Sequence, residues 1–282
     1  MERKLLNRLL GLMILLFLTI MVVFTIYPIL YAAFGSLKTN SELTAGGSFF
    51  PQNGWKFDNY RRAFVQANFS LYTINSIIIS GATMIIAVIT SSLAGFVFAR
   101  REFIGKKLIL ALYVGLMFVA LGSVTLYPIY SLLIKVGLNK SIVGLILALT
   151  GGQSTNVLLV MGYVKSIPKE LDEAAIIDGC SIYGIFFRIV RPLITPIMAV
   201  VALFTFRNSW NDYVTTLVMS ISIPALKTLT VAVVQLKYSM NSAAEWHIML
   251  AGASIAILPV LIIYFFANKQ FISGLTAGAV KG

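Results

Sequence analysis

The chain has 282 residues, of which 59 % are hydrophobic and 11 % are charged, and its mean hydropathy is +0.90. So few charges cannot cover a soluble globule, and the apolar runs are too numerous for one core, so the composition predicts a polytopic membrane protein. The net charge of +12 comes from basic residues scattered between apolar runs, which argues against a nucleic-acid-binding face. A single Cys and a single His exclude an internal disulfide and a Cys- or His-based metal cluster. We therefore expect the chain to bind no metal and no cofactor.

Six apolar segments are long enough to cross a bilayer, which takes roughly 20 apolar residues. They lie at about 9–33, 71–99, 108–134, 141–164, 197–220 and 248–268. The first exceeds the core of a signal peptide, so we expect it to be retained as a span. The spans are flanked by more basic residues on the side of the two termini than on the other side, which favours cytosolic N- and C-termini. The sequence thus predicts an all-α membrane protein with one transmembrane domain over residues 1–282.

The external segment after the first span, about 35–70, contains a short amphipathic pattern. Asp58 is a suitable N-cap for a helix, because its carboxylate can accept a hydrogen bond from a free backbone N–H group. The helix would carry four apolar or aromatic residues on one face, namely Phe57, Tyr60, Phe64 and Ala67. We expect a short helix that either lies along the membrane surface or packs against the bundle.

Polar side chains inside the predicted spans are candidates for a substrate pathway, because exposing them to lipid is costly. Arg207 and Asp212, in the predicted fifth span, must face the bundle interior, water or each other. Amides and a carboxylate beside aromatic rings would suit a sugar, and the adjacent Gly151-Gly152 pair predicts a loosened helix. The candidates are Asn75, Gln153, Asn156, Asn208, Trp210, Asn211 and Asp212. The same groups could instead join helices by interhelical hydrogen bonds, and both interpretations stay open.

The polar segment 165–196 separates two predicted spans and must lie outside the bilayer. Its acidic residues Glu170, Asp172 and Glu173 suit the first turns of a helix, and Gly179 suits the C-terminal cap. Ser181 can cap a second helix. An apolar stripe follows at helical spacing, formed by Ile182, Ile185, Phe186, Ile189 and Leu193, and Pro192 and Pro196 interrupt it. The segment therefore predicts two short helices that meet at a corner.

The same segment resembles the "EAA" loop of bacterial ABC-importer permeases. The agreement covers Glu173-Ala174-Ala175, Asp178-Gly179, Phe186, Ile189, Pro192-Leu193 and Pro196. Cys180 departs mildly from the usual small residue. In that family the loop docks on the ATP-hydrolysing subunit and transmits its closure, so we call residues 165–196 the coupling loop. The resemblance implies contact with the ATPase for Glu173, Ala174, Ala175, Asp178, Gly179, Cys180 and Phe186.

The C-terminal tail, 269–282, and the run Trp210-Asn-Asp-Tyr213 resemble one of the two permeases of maltose-transporter-type sugar importers. In that family the tail extends into the ATPase pair. The resemblance thus implies ATPase contacts for Gly274, Thr276, Gly278 and Lys281, and a fold of the type I ABC importer permease kind. By composition alone, the tail would be read as a disordered chain end.

The function that the resemblance implies is a non-catalytic permease subunit in a bacterial inner membrane, surrounded by lipid, that passes a sugar or oligosaccharide inward. The implied partners are a second homologous permease, a dimer of ATP-binding subunits that hold ATP and Mg²⁺, and an extracytoplasmic solute-binding protein. The sequence contains no phosphate-binding P-loop, which agrees with a separate ATPase. A stand-alone secondary transporter or channel is the alternative, although only Asp212 could serve an acidic relay. An intramembrane enzyme is disfavoured because no catalytic set occurs in the spans.

Overall fold

The computed structural model describes residues 2–46, 48–118, 122–221, 223–238 and 244–265, and these residues form helices with no β-strand among them. In chain order, the α-helices begin with α1 (Glu2–Gly35), α2 (Asn40–Thr44), α3 (Asp58–Gln66), α4 (Phe69–Arg100), α5 (Lys106–Phe118), α6 (Leu126–Lys135), α7 (Ile142–Thr150) and α8 (Ser154–Ser166). They continue with α9 (Glu170–Ile177), α10 (Ile182–Gly184), a π-helical segment (Ile185–Val190), α11 (Arg191–Leu193), α12 (Thr195–Trp210), α13 (Val214–Ser220), α14 (Leu229–Gln235) and α15 (Trp246–Ala256). The all-α prediction is confirmed.

The chain divides into two compact units. The first unit comprises residues 1–70 and 232–258, and in it α15 packs against α1 and α3. The side chain of Asn40, the first residue of α2, joins α2 to the start of α15: its amide donates to the Ala244 carbonyl at 2.8 Å, and its oxygen accepts the Trp246 N–H at 3.0 Å. Because that N–H begins α15, Asn40 satisfies a backbone donor that the helix itself leaves free.

Of the described residues, the second unit comprises those within 71–231 and 259–265, and its larger core joins α4, α8, α12 and the coupling loop. Fully buried Val164, Val190 and Ile194 lie in this core. A smaller cluster joins α4, α6, α7 and α13 through Ile79 and Leu145, which are also fully buried. The coupling loop is thus part of the same packed core as the spans that precede and follow it.

Three helices of the described residues are long and apolar enough to cross a membrane: Asn7–Gly35, Phe69–Arg100 and Trp246–Phe265. Two bent helix pairs raise the number to five if each pair is one span. These pairs are Ile142–Thr150 with Ser154–Ser166, bent by 55°, and Ile182–Leu193 with Thr195–Trp210, bent by 76°. The predicted span 108–134 consists of α5, a 3₁₀ turn and α6, and residues 119–121 within it lie outside the described residues. Six spans and cytosolic termini therefore remain predictions.

The predicted fifth span, 197–220, consists of two helices rather than one continuous helix. Helix α12 ends at Trp210 and α13 begins at Val214. The break lies at Asn211–Tyr213, where the Asp212 carboxylate accepts hydrogen bonds from the Thr216 N–H at 2.9 Å and the Thr215 hydroxyl at 2.9 Å. Short polar side chains of this kind compete with the helical backbone and begin a new helix instead.

The predicted helix near residue 58 exists as α3, but the prediction that Asp58 is its cap was wrong. Phe57 occupies the N-cap position without a side-chain cap bond, and Asp58 instead pairs with Arg61 at 2.8 Å. Phe57 and Phe64 are 68 % and 47 % exposed, while Asn59, Ala63 and Ala67 are buried. The Asn59 amide sets this orientation, because it donates to the carbonyls of Ser36 at 2.8 Å and Lys38 at 2.9 Å.

Candidate functional site

The corner of the coupling loop is built as the residue pattern predicts. Helix α9 carries three acids in its first turn and ends in a Schellman motif, with the Gly179 N–H donating to the Ile176 carbonyl at 3.0 Å and the Cys180 N–H to the Ala175 carbonyl at 2.9 Å. Gly179 has φ +79°, a backbone region that glycine enters without strain. Ser181 then caps the next helix by accepting the Gly184 N–H at 3.3 Å. The two-helix prediction is confirmed.

A π-helical segment, Ile185–Val190, follows the corner and was missed by the sequence analysis. A π turn inserts one extra residue, so it advances the apolar stripe by one position. The stripe therefore continues through Val190 and Ile194, which are fully buried, whereas the predicted Leu193 is 44 % exposed. Pro192 and Pro196 lie at the bend between α11 and α12, as expected of residues that cannot continue the backbone ladder.

The predicted ATPase-contacting residues of the coupling loop fall into two groups. Ala175 and Phe186 are buried in the core, where they hold the loop against the spans, and Cys180 is half-buried against the same core. The exposed members are Glu173, Ala174, Asp178 and Gly179. Large apolar side chains that the resemblance did not single out are also exposed on the loop, namely Leu171, Ile176, Ile177 and Tyr183. The loop thus presents an apolar surface with acids beside it.

A polar cavity of about 450 Å³ lies between α7, α8 and α12 at the bend of the first helix pair. Four of the predicted pathway residues line it together with Arg207. They are Gln153, Asn156, Asn208 and Asp212. The Asn156 amide donates to the Gln153 side-chain oxygen and to the Thr205 hydroxyl, the latter at 3.2 Å, so this contact joins α8 to α12.

Glycines, hydroxyl residues and two apolar residues, Leu149 and Phe204, complete the lining of this cavity. The predicted loosening at Gly151-Gly152 is confirmed as the 55° bend between α7 and α8, and Gly152 has φ +73°. The hydroxyl residues are Thr155, Thr205 and Ser209, which the sequence analysis did not single out. Thr205 lies three residues before Asn208, and Ser209 lies three residues before Asp212, and this helical spacing is the signal that could have found these two. Thr155 is the immediate neighbour of Asn156 and has no such signal.

Three other predicted pathway residues do not line this cavity. The buried Asn75 amide donates to the carbonyls of Ala225 at 2.7 Å and Lys227 at 2.9 Å, which is the helix-joining role that the sequence left open. Trp210 is buried with its ring stacked on Phe206 at 5.6 Å. Asn211 is exposed at the end of α12. The tail residues Gly274, Thr276, Gly278 and Lys281 lie outside the described residues.

The chemistry of the cavity is that of hydrogen bonding. Its amides and hydroxyls can donate and accept, whereas the Asp212 carboxylate already accepts three bonds from Thr215 and Thr216. Within the described residues, no group of three or more His, Cys, Asp or Glu side chains could hold a metal ion.

Comparison with known proteins identifies the class. Residues 92–275, well over half of the chain, match the family described as "Binding-protein-dependent transport system inner membrane component". The chain belongs to this family, and it is therefore a membrane component of a transport system. The resemblance that the coupling loop suggested is confirmed.

Curated relatives match along nearly the whole chain. The "Maltodextrin transport system permease protein MdxG" of Bacillus subtilis (strain 168) is 32 % identical over 269 residues, covering 95 % of this chain and 95 % of the relative. The "Arabinooligosaccharides transport system permease protein AraQ" of the same organism is 32 % identical over 270 residues, covering 95 % and 94 %. A solved structure described as a bacterial ABC transporter involved in the import of the acidic polysaccharide alginate superposes with a TM-score of 0.80 at 21 % identity, covering 94 % of this chain and 97 % of that chain. This likeness shows that the permease fold is shared.

Proposed function

We propose that the chain is one of two permease subunits of an ATP-driven importer in a bacterial inner membrane, and that it carries a sugar or oligosaccharide inward. Family membership supports the importer, and the names of the maltodextrin and arabinooligosaccharide relatives support the substrate class. ATP and Mg²⁺ are held by separate ATPase subunits, and a solute-binding protein delivers the substrate from outside. The chain itself performs no catalysis.

The observation that carries the proposal is the exposed apolar surface of the coupling loop. Ile177 is 86 % exposed at the end of α9, and Tyr183 is exposed on the other side of the corner. The segment is too polar to lie in lipid, so these side chains are suited to a protein groove rather than to the membrane. In this proposal the groove belongs to the ATPase subunit, and Glu173 and Asp178 lie at its rim.

The 450 Å³ cavity is proposed to form part of the sugar pathway. Sugar hydroxyls both donate and accept hydrogen bonds, and amide and hydroxyl side chains offer both roles at one site. Gln153, Asn156 and Asn208 supply the amides. The bend at Gly151-Gly152 opens the helix beside them, as in transporter helices where irregular backbone lines a cavity.

The helix α1 is the surface proposed to meet lipid or the second permease. The segment Asn7–Gly35 has the highest mean hydropathy of the three long helices. No residue in its most apolar stretch is buried by the rest of this chain. A helix of that kind needs an apolar environment on every side.

The test is affinity purification of the tagged chain in mild detergent, with mass identification of the proteins recovered and an ATPase assay. The expected result is recovery of a second permease and an ATPase, with ATP hydrolysis stimulated by the binding protein plus sugar. Ile177→Asp should reduce recovery of the ATPase at least tenfold. The matched control is Ile104→Asp, because Ile104 is fully exposed in a loop outside the coupling loop. Equal recovery with both variants, or transport by the chain alone without ATP, would overturn the proposal.

A further inference from the structure

Arg100, the last residue of α4, contacts two other elements through one guanidinium group. Its Nε atom lies 2.7 Å from Oδ2 of Asp172 in α9, and its Nη2 atom donates to the Ile167 carbonyl at 2.9 Å. Ile167 is the C-cap of α8. Arg100 therefore connects the ends of α4 and α8 to the coupling loop.

This ion pair is unusually well buried for two charged groups. The Arg100 side chain is 5 % exposed and the Asp172 side chain 14 % exposed. A pair in such surroundings is screened little by salt, and removal of one partner leaves a buried charge without compensation. The contact is thus firmer than the exposed Arg61–Asp58 pair in α3.

The attachment of α9 to the rest of the molecule depends heavily on this contact. Within α9 only Ala175 is buried, and the remaining apolar side chains of the helix point outward. A single small buried residue cannot hold a helix of eight residues in a fixed orientation by packing. The ion pair supplies a second attachment one turn before Ala175.

Helix α8 leads from this attachment to the polar cavity. Its C-terminal end is held by Arg100, while Thr155 and Asn156 in its first turn line the cavity. Its 13 residues span about 20 Å at 1.5 Å per residue. Helix α4 is tightly packed against α8, because Gly95 approaches Val160 so closely that a Cβ atom on Gly95 would lie 2.7 Å from Val160 Cγ1.

We propose that Arg100 is a positioning residue that links α9 to α8, so that a displacement of α9 reaches the cavity amides as a rigid movement of α8. The inference depends on the proposed function, since it takes the ATPase to be the partner that moves α9. Without the link, α9 would follow the ATPase while α8 and the cavity lagged behind. ATP would then be hydrolysed with little transport.

The experiment measures sugar transported per ATP hydrolysed in the complete complex reconstituted in liposomes, with a maltodextrin as the probe. Arg100→Gln should lower this ratio at least tenfold, and Arg100→Lys should restore part of it, since a lysine reaches one of the two partners. The double variant Arg100→Gln with Asp172→Asn leaves no unpaired buried charge, and it should show the same loss as Arg100→Gln. Arg101→Gln, at the exposed neighbouring residue, is the matched control and should stay within twofold of the wild-type ratio.

The outcomes separate the two proposals. A wild-type complex that transports without ATP would contradict the proposed function. A wild-type complex that transports with ATP, combined with an unchanged ratio in the double variant, would overturn only the role of Arg100. A lower ratio of sugar transported to ATP hydrolysed in the double variant, with unchanged recovery of the ATPase, would support the role of Arg100.

Discussion

The carboxylate of Glu42 organises the loop between α1 and α3. It accepts hydrogen bonds from the backbone N–H groups of Thr39 at 2.9 Å, Gln52 at 2.7 Å and Asn53 at 2.8 Å. The bond from Thr39 is the largest cause that lowers the pKa of Glu42 from 4.5 to about 2. Donors that bond the ionised form favour it over the protonated form.

Glu42→Gln should therefore loosen residues 39–53 without unfolding the spans. Because the folded-state pKa is lowered, the stabilisation is complete above pH 4.5 and is lost as the pH falls toward 2. Hydrogen exchange at the Gln52 and Asn53 amides should quicken in the variant at neutral pH, and in the wild type only under strong acid. Asp58→Asn, which removes an exposed carboxylate with one bond to Arg61, is the control. Unchanged protection in Glu42→Gln would contradict this account.

Asp212 combines a structural role with a place in the proposed sugar pathway. It lines the cavity while its carboxylate accepts the bonds that begin α13. Asp212→Asn keeps one side-chain oxygen for the two Thr216 bonds and should therefore preserve the helix start, since Asn caps a helix about as well as Asp, and it should alter sugar uptake while leaving ATPase recovery intact. Uptake kinetics and co-purification of the same variant test this. Unchanged kinetics across several sugars would assign Asp212 a structural role alone.

At the scale of single elements, the corner after α9 depends on the backbone of Gly179. A Cβ atom added there would meet nothing within 4 Å, so the cost of substitution comes from the positive φ alone. That cost is about 1–2 kcal/mol for most residues and smaller for Asn. Gly179→Val should therefore uncouple transport from ATP hydrolysis while the complex still assembles, and Gly179→Asn should be milder. Normal uptake with Gly179→Val would contradict the role of the corner.

The crossing of α4 and α8 requires a residue without a side chain at Gly95. A Cβ atom there would lie 2.7 Å from Val160 Cγ1 and 2.9 Å from the Met161 backbone nitrogen, and the backbone atom cannot move aside cheaply. Gly95→Ala should lower the unfolding temperature in detergent by several degrees. Gly81→Ala is a matched control in the same helix, since nothing lies within 4 Å of its added Cβ atom. Equal melting temperatures for both variants would argue against close packing at this crossing.

The elements that could be predicted from sequence are those whose signals are local. Gly179 ends one helix and Ser181 begins the next, each through a hydrogen bond that it makes itself. The π segment and the direction that α3 faces could not be predicted, because each depends on tertiary contacts. Asn59, for example, fixes which face of α3 is buried by donating to the carbonyls of Ser36 and Lys38, which are more than twenty residues away in the sequence.

For the molecule as a whole, hydropathy predicted the membrane class but not the breaks within the apolar segments. The bend at Gly151–Gln153 and the break at Asn211–Tyr213 interrupt segments whose mean hydropathy is high. Four of the seven predicted pathway residues meet in one cavity, because they lie near two of these irregular points. In the sequence, Asn75 and Trp210 look like the residues that line the cavity. Only the packing of the structure shows that both are buried elsewhere.

The central claim is that ATP hydrolysis on a partner drives a sugar through this chain. The most direct measurement is uptake of labelled maltodextrin or arabinooligosaccharide into liposomes that contain the purified complex, with ATP enclosed or omitted and with the binding protein present or absent. The account predicts accumulation only when ATP and the binding protein are both supplied. Uptake that proceeds without ATP, or that needs no binding protein, would contradict it.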